Sequence, residues 1–406
     1  MSENNRTKIK EPIYLDNASS SPIDRNVMNE MLPFLTGNYG NPSSLHDLGR
    51  KSTIAVSKAR IQISKLIGSK SNEIYFTSGG TESNNLALIG CARLINSVNP
   101  ACNRILVSKI EHDSILETIS FIQKDLKFEV DYLPIKKDGL IDLDIFSDMI
   151  SPKTSLISIM LVNNEIGTIQ PIRALVETAK AKNNNIIFHS DAVQALGKIP
   201  IDVNDLKIDM MTISSHKING PKGIGALFIR QGIHIKPIIF GGGQEMNIRS
   251  GTENVSAIVG FGKACEIWKN KFESVQANIQ KLQRYMINRI IREIPGSVLN
   301  GSMENRISNN VNFSFSGING EDLLIKLDEY GIEASTGSAC SSNKKQKASH
   351  VLKALGLNYD QISGSIRFSI GHQNTQEELK IAIDTLKKLI IEFRKINGFD
   401  FVGKKR

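Results

Sequence analysis

Three stretches of this sequence end apolar, strand-like runs in residues that could together hold and polarise one charged, ring-shaped ligand. In EIYFTSGGTESNN a β-rich run gives way to a Gly-containing turn and the start of a helix. Backbone N–H groups at a helix N-terminus, with the macrodipole behind them, bind phosphate well; a plain turn with Thr81 as N-cap fits the same letters. In NIIFHSDAVQALGKIPID, Asp191 follows an apolar run and Gln194 follows three residues later. The carboxylate there either neutralises a protonated ring nitrogen or caps the next helix. In DMMTISSHKINGPKGIGALFIR an apolar run ends in Ser214, Ser215, His216 and Lys217. A lysine held at a strand end, its pKa lowered by desolvation and a nearby cation, forms a Schiff base with an aldehyde; taken alone, it also fits a surface turn. GPKGIG lacks the G-K-[ST] ending of a Walker A loop.

Taken together, a phosphate cup, an acid for a pyridinium nitrogen and a Schiff-base lysine are what pyridoxal 5′-phosphate (PLP) requires of a protein. A fourth stretch, TGSACSSNKKQK from Thr336 to Lys347, surrounds Cys340 with Ser, Gly, Asn and Lys and offers it no apolar packing. Lys344, Lys345 and Lys347 favour a thiolate there. Cys91 and Cys265 lie in segments of helical apolar periodicity, as small buried hydrophobes do, and Cys102 in NPACNR gives no signal. No C-x-x-C pair occurs, so neither a zinc knuckle nor a disulfide framework is signalled, and no metal site is expected.

These residues must be positioned by an α/β framework. From about residue 24 the runs EIYF, RILVSK, FEVDYLPI, SLISIMLV, NIIFHSD, DMMTISS and ALFIR alternate with helical patterns such as SNNLALIGCARLI and RALVETAKAK. This is the rhythm of a mostly parallel sheet covered on both faces, whose ligands gather at the carboxyl ends of the strands. A helical pattern from about Val255 to Ile294 leads to a different region, where VNFSFSG and SIRFSIG flank helices EDLLIKLDEYG and ASHVLKALG. The expected division is an N-terminal segment 1–23 packing on the small domain, a large domain 24–265, and a smaller α+β domain 266–406 carrying the cysteine loop at about 336–347.

At 406 residues, with 40% hydrophobic and 22% charged content, the composition is that of a soluble globular protein. The start, MSENNRTKIKEPIYL, has no apolar core of a secretory signal, and no apolar run approaches the roughly 18 residues that span a bilayer. A cytoplasmic location with no membrane partner is expected. The net charge of +9 is spread along the chain, as solvated surface is, rather than gathered into a nucleic-acid-binding stripe.

The sequence resembles the cysteine desulfurases of the NifS/IscS type, within the fold-type I PLP enzymes. The resemblance runs from YLDNASSSPID through GNPSS, FTSGGTESNN, KIEHDSIL, VNNEIGTIQPI, HSDAVQALGKIPID, SSHKINGPKGIGALFIR, GGGQEMNIRSGTEN and TGSAC to SIRFSIG. It implies a large domain with a mostly parallel sheet covered by helices, plus a smaller α+β domain. By resemblance, Lys217 holds PLP, Asp191 partners the pyridine nitrogen, His112 stacks on the ring and moves protons, Gln194 bonds the phenolic oxygen and Asn164 lies beside the ring. Gly80, Thr81, Ser214 and His216 match the phosphate cup, which Thr252 completes from the other subunit of a homodimer. Arg367 matches the clamp for the substrate carboxylate, with Asn41 near it, because a guanidinium fork suits a carboxylate. Cys340 matches the catalytic cysteine, whose thiol travels between substrate sulfur and acceptor.

The implied reaction converts L-cysteine to L-alanine: Lys217 takes the Cα proton, Asp191 keeps the ring protonated, and the Cys340 thiolate takes the sulfur as a persulfide for a sulfur-acceptor protein. Two stretches depart from many relatives. SSNKKQKASHVL carries three lysines where a Glu-Pro step is common, and YLDNASSSP has serines where A-T-T is common. The lysines favour the thiolate, or help dock an acidic sulfur acceptor, or are a solvated loop. Selenocysteine lyase, another PLP lyase or aminotransferase, and a silent PLP-binding scaffold are the alternatives; Cys340 argues against a transaminase, and Lys217 with Cys340 against a silent scaffold.

Overall fold

The computed structural model describes residues 11–336 and 348–399. Its strands are β1 (Ile13–Tyr14), β2 (Ile74–Thr77), β3 (Arg104–Ser108), β4 (Glu129–Leu133), β5 (Thr154–Ser158), β6 (Ile187–Asp191), β7 (Met210–Ser214), β8 (Gly225–Ile229), β9 (Ser297–Leu299), β10 (Asn310–Phe315), β11 (Ile332–Glu333) and β12 (Ser365–Ser369). Seven of them form one sheet in the order β2, β8, β7, β6, β5, β3, β4. The β7–β6–β5–β3–β4 pairings are parallel, and β8 runs antiparallel to both its neighbours.

Every residue of β5, β7 and β8 is buried. That is why these strands read as continuous apolar runs and not as an alternation: both faces are covered. The helices Gly80–Val98 and Asp113–Asp125 cover one face through a core that includes Leu86, Cys91, Ile115, Ile119 and Leu227. The opposite face packs on Ile63, Leu175 and Phe261, from helices Asp47–Ile67, Ile172–Lys182 and Val255–Glu293. Burial pushes the thiols of Cys91 and Cys265 far above their ordinary range, as small core residues.

A second sheet, in the order β12, β10, β9, is antiparallel. VNFSFSG and SIRFSIG supply β10 and β12, and Phe313, Phe315 and Phe368 pack there against Leu379, Ile383 and Leu386 of helix Gln376–Ile396. The edge strand β9 follows the PGS break and is too short to show a pattern of its own. The helix Val255–Glu293 joins the two cores. Phe261, Ala264 and Cys265 belong to the first and Ile279, Met286 and Ile290 to the second, so the helix continues through the expected boundary at 265/266. β1 adds to β11 in parallel, and no helix among the described residues is long and apolar enough to cross a membrane.

His189 shows what the buried sheet costs a titratable group. It is wholly buried in β6; Nδ1 lies 3.0 Å from Ser158 Oγ and Nε2 3.0 Å from Thr212 Oγ1. Burial pushes its pKa down to about 3. An unfolded histidine takes up a proton below about 6.5, whereas the folded one stays neutral, so this group stabilises the fold above that value and loses its contribution as pH falls toward about 3. We expect the stability advantage of the parent over His189→Gln, measured by urea unfolding, to shrink by up to roughly 1.4 kcal/mol per pH unit below about 6.5. A pH-independent difference would show that His189 does not titrate this way.

Candidate functional site

The carboxyl ends of β2, β6 and β7 face one cleft of about 320 Å³, lined by Gly80, Thr81, His112, Asn164, Asp191, Gln194, Ser214, His216, Lys217 and Arg367 together with Ala18, Ser19 and Asn84. Ten of the residues picked from the sequence therefore share one cavity. Asn41 and Thr252 do not line it. Both are exposed, and Asn41 is committed to a local turn in which its Oδ1 accepts from Ser43 N at 2.8 Å. Cys340 lies outside the described residues, as does all of the 336–347 loop except Thr336.

Each side chain is set by its strand end. After β2 the chain turns through Gly79 directly into helix Gly80–Val98, which has no side-chain N-cap. Thr81 is thus the second residue of the helix and not its cap, and the first-turn N–H groups lack intrahelical partners. A Cβ at Gly80 would stand 2.9 Å from Val193 Cγ2, so only glycine fits this close approach without displacing its neighbour. Ser214 ends β7; its hydroxyl is buried and has no protein partner.

Asp191, the last residue of β6, is held through both carboxylate oxygens and caps no helix, the next one starting at Val203 with Asp202 as its cap. Its Oδ1 accepts from Val193 N at 2.9 Å, closing the turn, and its Oδ2 accepts from Asn84 Nδ2 at 2.8 Å. The second N–H of that amide donates to Ser114 Oγ at 2.9 Å. Ser114 in turn meets His112, which N-caps helix Asp113–Asp125: Nδ1 accepts from Ser114 N at 3.1 Å and lies 2.9 Å from Ser114 Oγ. With Nδ1 accepting, the proton of the neutral ring sits on Nε2.

Lys217 closes a single 3₁₀ turn, Ser215–Lys217, and its Nζ donates to the carbonyls of Ala18 and Ser19, each at 2.6 Å. Gln194 Nε2 donates to the same Ala18 carbonyl at 2.8 Å. Burial first, then the charges of Lys217, Lys222 and Lys198, pushes the His216 pKa down to about 4, so the ring is neutral at pH 7. Arg367, 2% exposed on β12, pairs with Asp16 Oδ1 at 2.9 Å and donates to Ser19 Oγ at 2.7 Å and to the Asn164 carbonyl at 2.9 Å.

Sequence reasoning passed over Asn84, Ala18 and Ser19. Asn84 had a signal: it follows Gly80 by four residues, one helical turn along the same face. Ala18 and Ser19 had none, because they enter the site through β1 and the bond from Asn17 Nδ2 to the Ser369 carbonyl, 2.9 Å across 352 residues. Gly225 also matters here. It sits in register between Thr77 and Ser214, and a Cβ on it would lie 2.7 Å from the Gly79 carbonyl carbon and 2.9 Å from the Ile213 oxygen. Because both neighbours are backbone, Gly225→Ala must shift the turn that carries Gly80. We expect it to weaken PLP binding roughly tenfold or more, the value of one lost charge-assisted hydrogen bond, in a fluorescence titration; unchanged affinity would separate this turn from the phosphate site.

Comparisons with known proteins agree with this geometry. The family described as aminotransferase class-V matches residues 13–381. A protein named cysteine desulfurase IscS from Dictyoglomus turgidum is 45% identical over 391 residues, which cover 96% of this chain and 98% of that protein. A solved structure described as a NifS-like protein superposes with a TM-score of 0.87 at 34% identity, covering 94% of this chain and 100% of that chain. Another, SspA in complex with cysteine, gives a TM-score of 0.77 at 36% identity over 89% of this chain and 100% of that one. The α/β chain with its mostly parallel central sheet therefore belongs to the aminotransferase class-V family, among the cysteine desulfurases of the NifS/IscS type.

Proposed function

We infer that the chain is a PLP-dependent cysteine desulfurase that takes sulfur from L-cysteine, giving L-alanine and a persulfide on Cys340. The observation that carries this reading is the convergence on one cleft of a lysine at a strand end, a buried carboxylate, an uncapped helix N-terminus and a buried arginine. The residues fit PLP. The unpartnered Ser214 hydroxyl, the first-turn N–H groups at Gly80 and Thr81 and the neutral His216 suit a phosphate, and Asp191 suits a protonated ring nitrogen. Gln194 suits the phenolic oxygen, and Asn164 and His112 suit the ring.

When bound, PLP supplies a carbonyl that condenses with the substrate amine and a ring that takes up the electron pair released at Cα. The chain's own residues do the rest. Lys217 takes the Cα proton and returns one where it is needed, while Asp191, fixed by Asn84 and Val193 N, holds the proton at the ring nitrogen. Arg367 binds the substrate carboxylate by sharing or exchanging the carboxylate of Asp16. His112, with its ring proton on Nε2, delivers and removes protons near the leaving sulfur. The Cys340 thiolate attacks that sulfur; the S–S bond forms as Cβ–S breaks, the electron pair stays with Cβ, and protonation gives the methyl group of alanine.

None of the three cysteines among the described residues lines the cleft, which supports Cys340 in this role. The exposure of Thr252 on its own chain supports a homodimer in which it completes the phosphate site of a second copy. From Cys340 the sulfur passes to an acceptor protein of iron-sulfur assembly or of a thiolation pathway.

The deciding measurement is alanine and sulfide release from L-cysteine under reducing conditions, comparing the parent with Cys340→Ala, both loaded with PLP. We expect release to fall to background in the variant while the absorbance of PLP held on Lys217 persists. Equal activity in both would overturn the persulfide step.

A further inference from the structure

A second buried lysine stands behind the cleft. Lys198 is 7% exposed, and its Nζ donates to Gln194 Oε1 at 2.5 Å. The positive φ of Gly197, 70°, turns the chain just before it, where a Cβ would run into Ile218 at 2.8 Å and Trp268 at 3.2 Å. Lys198 does not line the substrate cleft. It faces a separate small cavity of about 20 Å³ that Asn17, Asn219 and Asn309 also line. Burying an amine beside two other cations is costly, and burial first, then Lys217 and Arg367, pulls its pKa well below the ordinary value. A residue kept in so unfavourable a place needs a task.

Hydrogen-bond polarity identifies it. The two ends of the Gln194 amide are nearly equal in shape and opposite in function. At one end the Ala18 carbonyl can only accept, and it takes Nε2 at 2.8 Å; at the other the Lys198 amine gives its proton to Oε1. Turning the amide over would set two acceptors against each other at Ala18. The Ala18 carbonyl also accepts from Lys217 Nζ at 2.6 Å, so Lys198, Gln194, Ala18 and Lys217 form one continuous chain of contacts. With one N–H of Gln194 spent on Ala18, the other is the amide group's donor for the cleft.

We propose that Lys198 is a positioning residue that keeps the Gln194 amide turned with its NH₂ toward the cleft, as a fixed donor to the oxygen that PLP carries beside its reactive carbon. This rests on the cysteine desulfurase reading above and adds to it a residue that touches neither cofactor nor substrate.

The test is a double-mutant cycle on the full chain with Lys198→Met, Gln194→Ala and the pair. PLP affinity of the cofactor-stripped protein and the position of the bound cofactor's visible absorption band are read alongside kcat and KM. Lys198→Met is expected to weaken PLP affinity about tenfold and to move the band as Gln194→Ala does, with no added effect in the double variant. Lys198→Arg, which keeps a donor, is expected to hold the parent spectrum, and it decides the matter if the methionine variant does not fold. Effects of the two changes that multiply, a Lys198→Met spectrum and affinity equal to the parent, or a Lys198→Arg band shifted like that of Gln194→Ala, would overturn the proposal. A parent protein that takes up no PLP would instead overturn the function on which it rests.

Discussion

Positive charge held out of water is the constraint on which the rest of this structure turns. Lys217 and Arg367 lie close enough for their charges to act on Lys198, and His216 stays neutral because of burial first and then the charges of Lys217, Lys222 and Lys198. Such a cluster is unstable unless acceptors surround it. Here they are the carbonyls of Ala18, Ser19 and Asn164, the Gln194 amide oxygen and the carboxylate of Asp16. All of these are fixed in position. A cleft so arranged favours a ligand that brings its own negative charge, as a phosphate ester and an amino-acid carboxylate do.

Supplying those acceptors requires distant parts of the chain to meet. β1 pairs with β11 in a two-stranded sheet of their own, the segment after it is pinned to β12 of the second sheet by the Asn17 bond to Ser369, and it then passes over the 3₁₀ turn of Lys217. Ser21 clasps that turn from the other side: its Oγ donates to the His216 carbonyl at 2.9 Å and accepts from Asn219 N at 2.8 Å. Arg367 comes from β12 of the small sheet, whereas Lys217, Asp191 and Gly80 come from the large one. The cleft is therefore a property of both sheets together, and the helix that runs unbroken from one core into the other fixes their spacing.

What the sequence disclosed, and what it hid, follows from this arrangement. The central strands of the large sheet were legible because both faces are buried, which leaves uninterrupted apolar runs, and the polar residues of the cleft stood out where those runs stop, whereas the edge strand β4 is half exposed. Asp191, Ser214 and Lys217 are strand-end residues of this kind. Sequence spacing could not disclose contacts that depend on chain crossings: Ala18 and Ser19 meet Lys217 across nearly 200 positions, and nothing local marks them. The boundary at 265/266 came from a change in residue character, but the helix carries its apolar face straight through it. Asn41 reads like a site residue, yet its side chain closes its own turn. Lys198 sits in the motif that ends in GKIPID, where nothing local marks it; its burial and its bond to Gln194 do.

The serine at position 19 shows how a small departure acts at such a site. An alanine there could offer only a methyl group to pack. Ser19 instead donates from Oγ to Asp16 Oδ1 at 2.9 Å and accepts from Arg367 at 2.7 Å, which closes a ring of three groups with the Asp16–Arg367 pair. Each contact orients the next, because a hydroxyl that donates toward a carboxylate turns its lone pairs toward the guanidinium. The hydroxyl thus gives Asp16 and Arg367 a common partner and holds the guanidinium plane in one orientation. The guanidinium is held through Nη2 by Asp16 and Ser19 and through Nη1 by the Asn164 carbonyl, so an anion that reaches it must exchange with these contacts and not simply fill a space. That exchange ties Arg367 to the segment whose carbonyls hold Lys217, so the guanidinium and the amine share one short stretch of backbone.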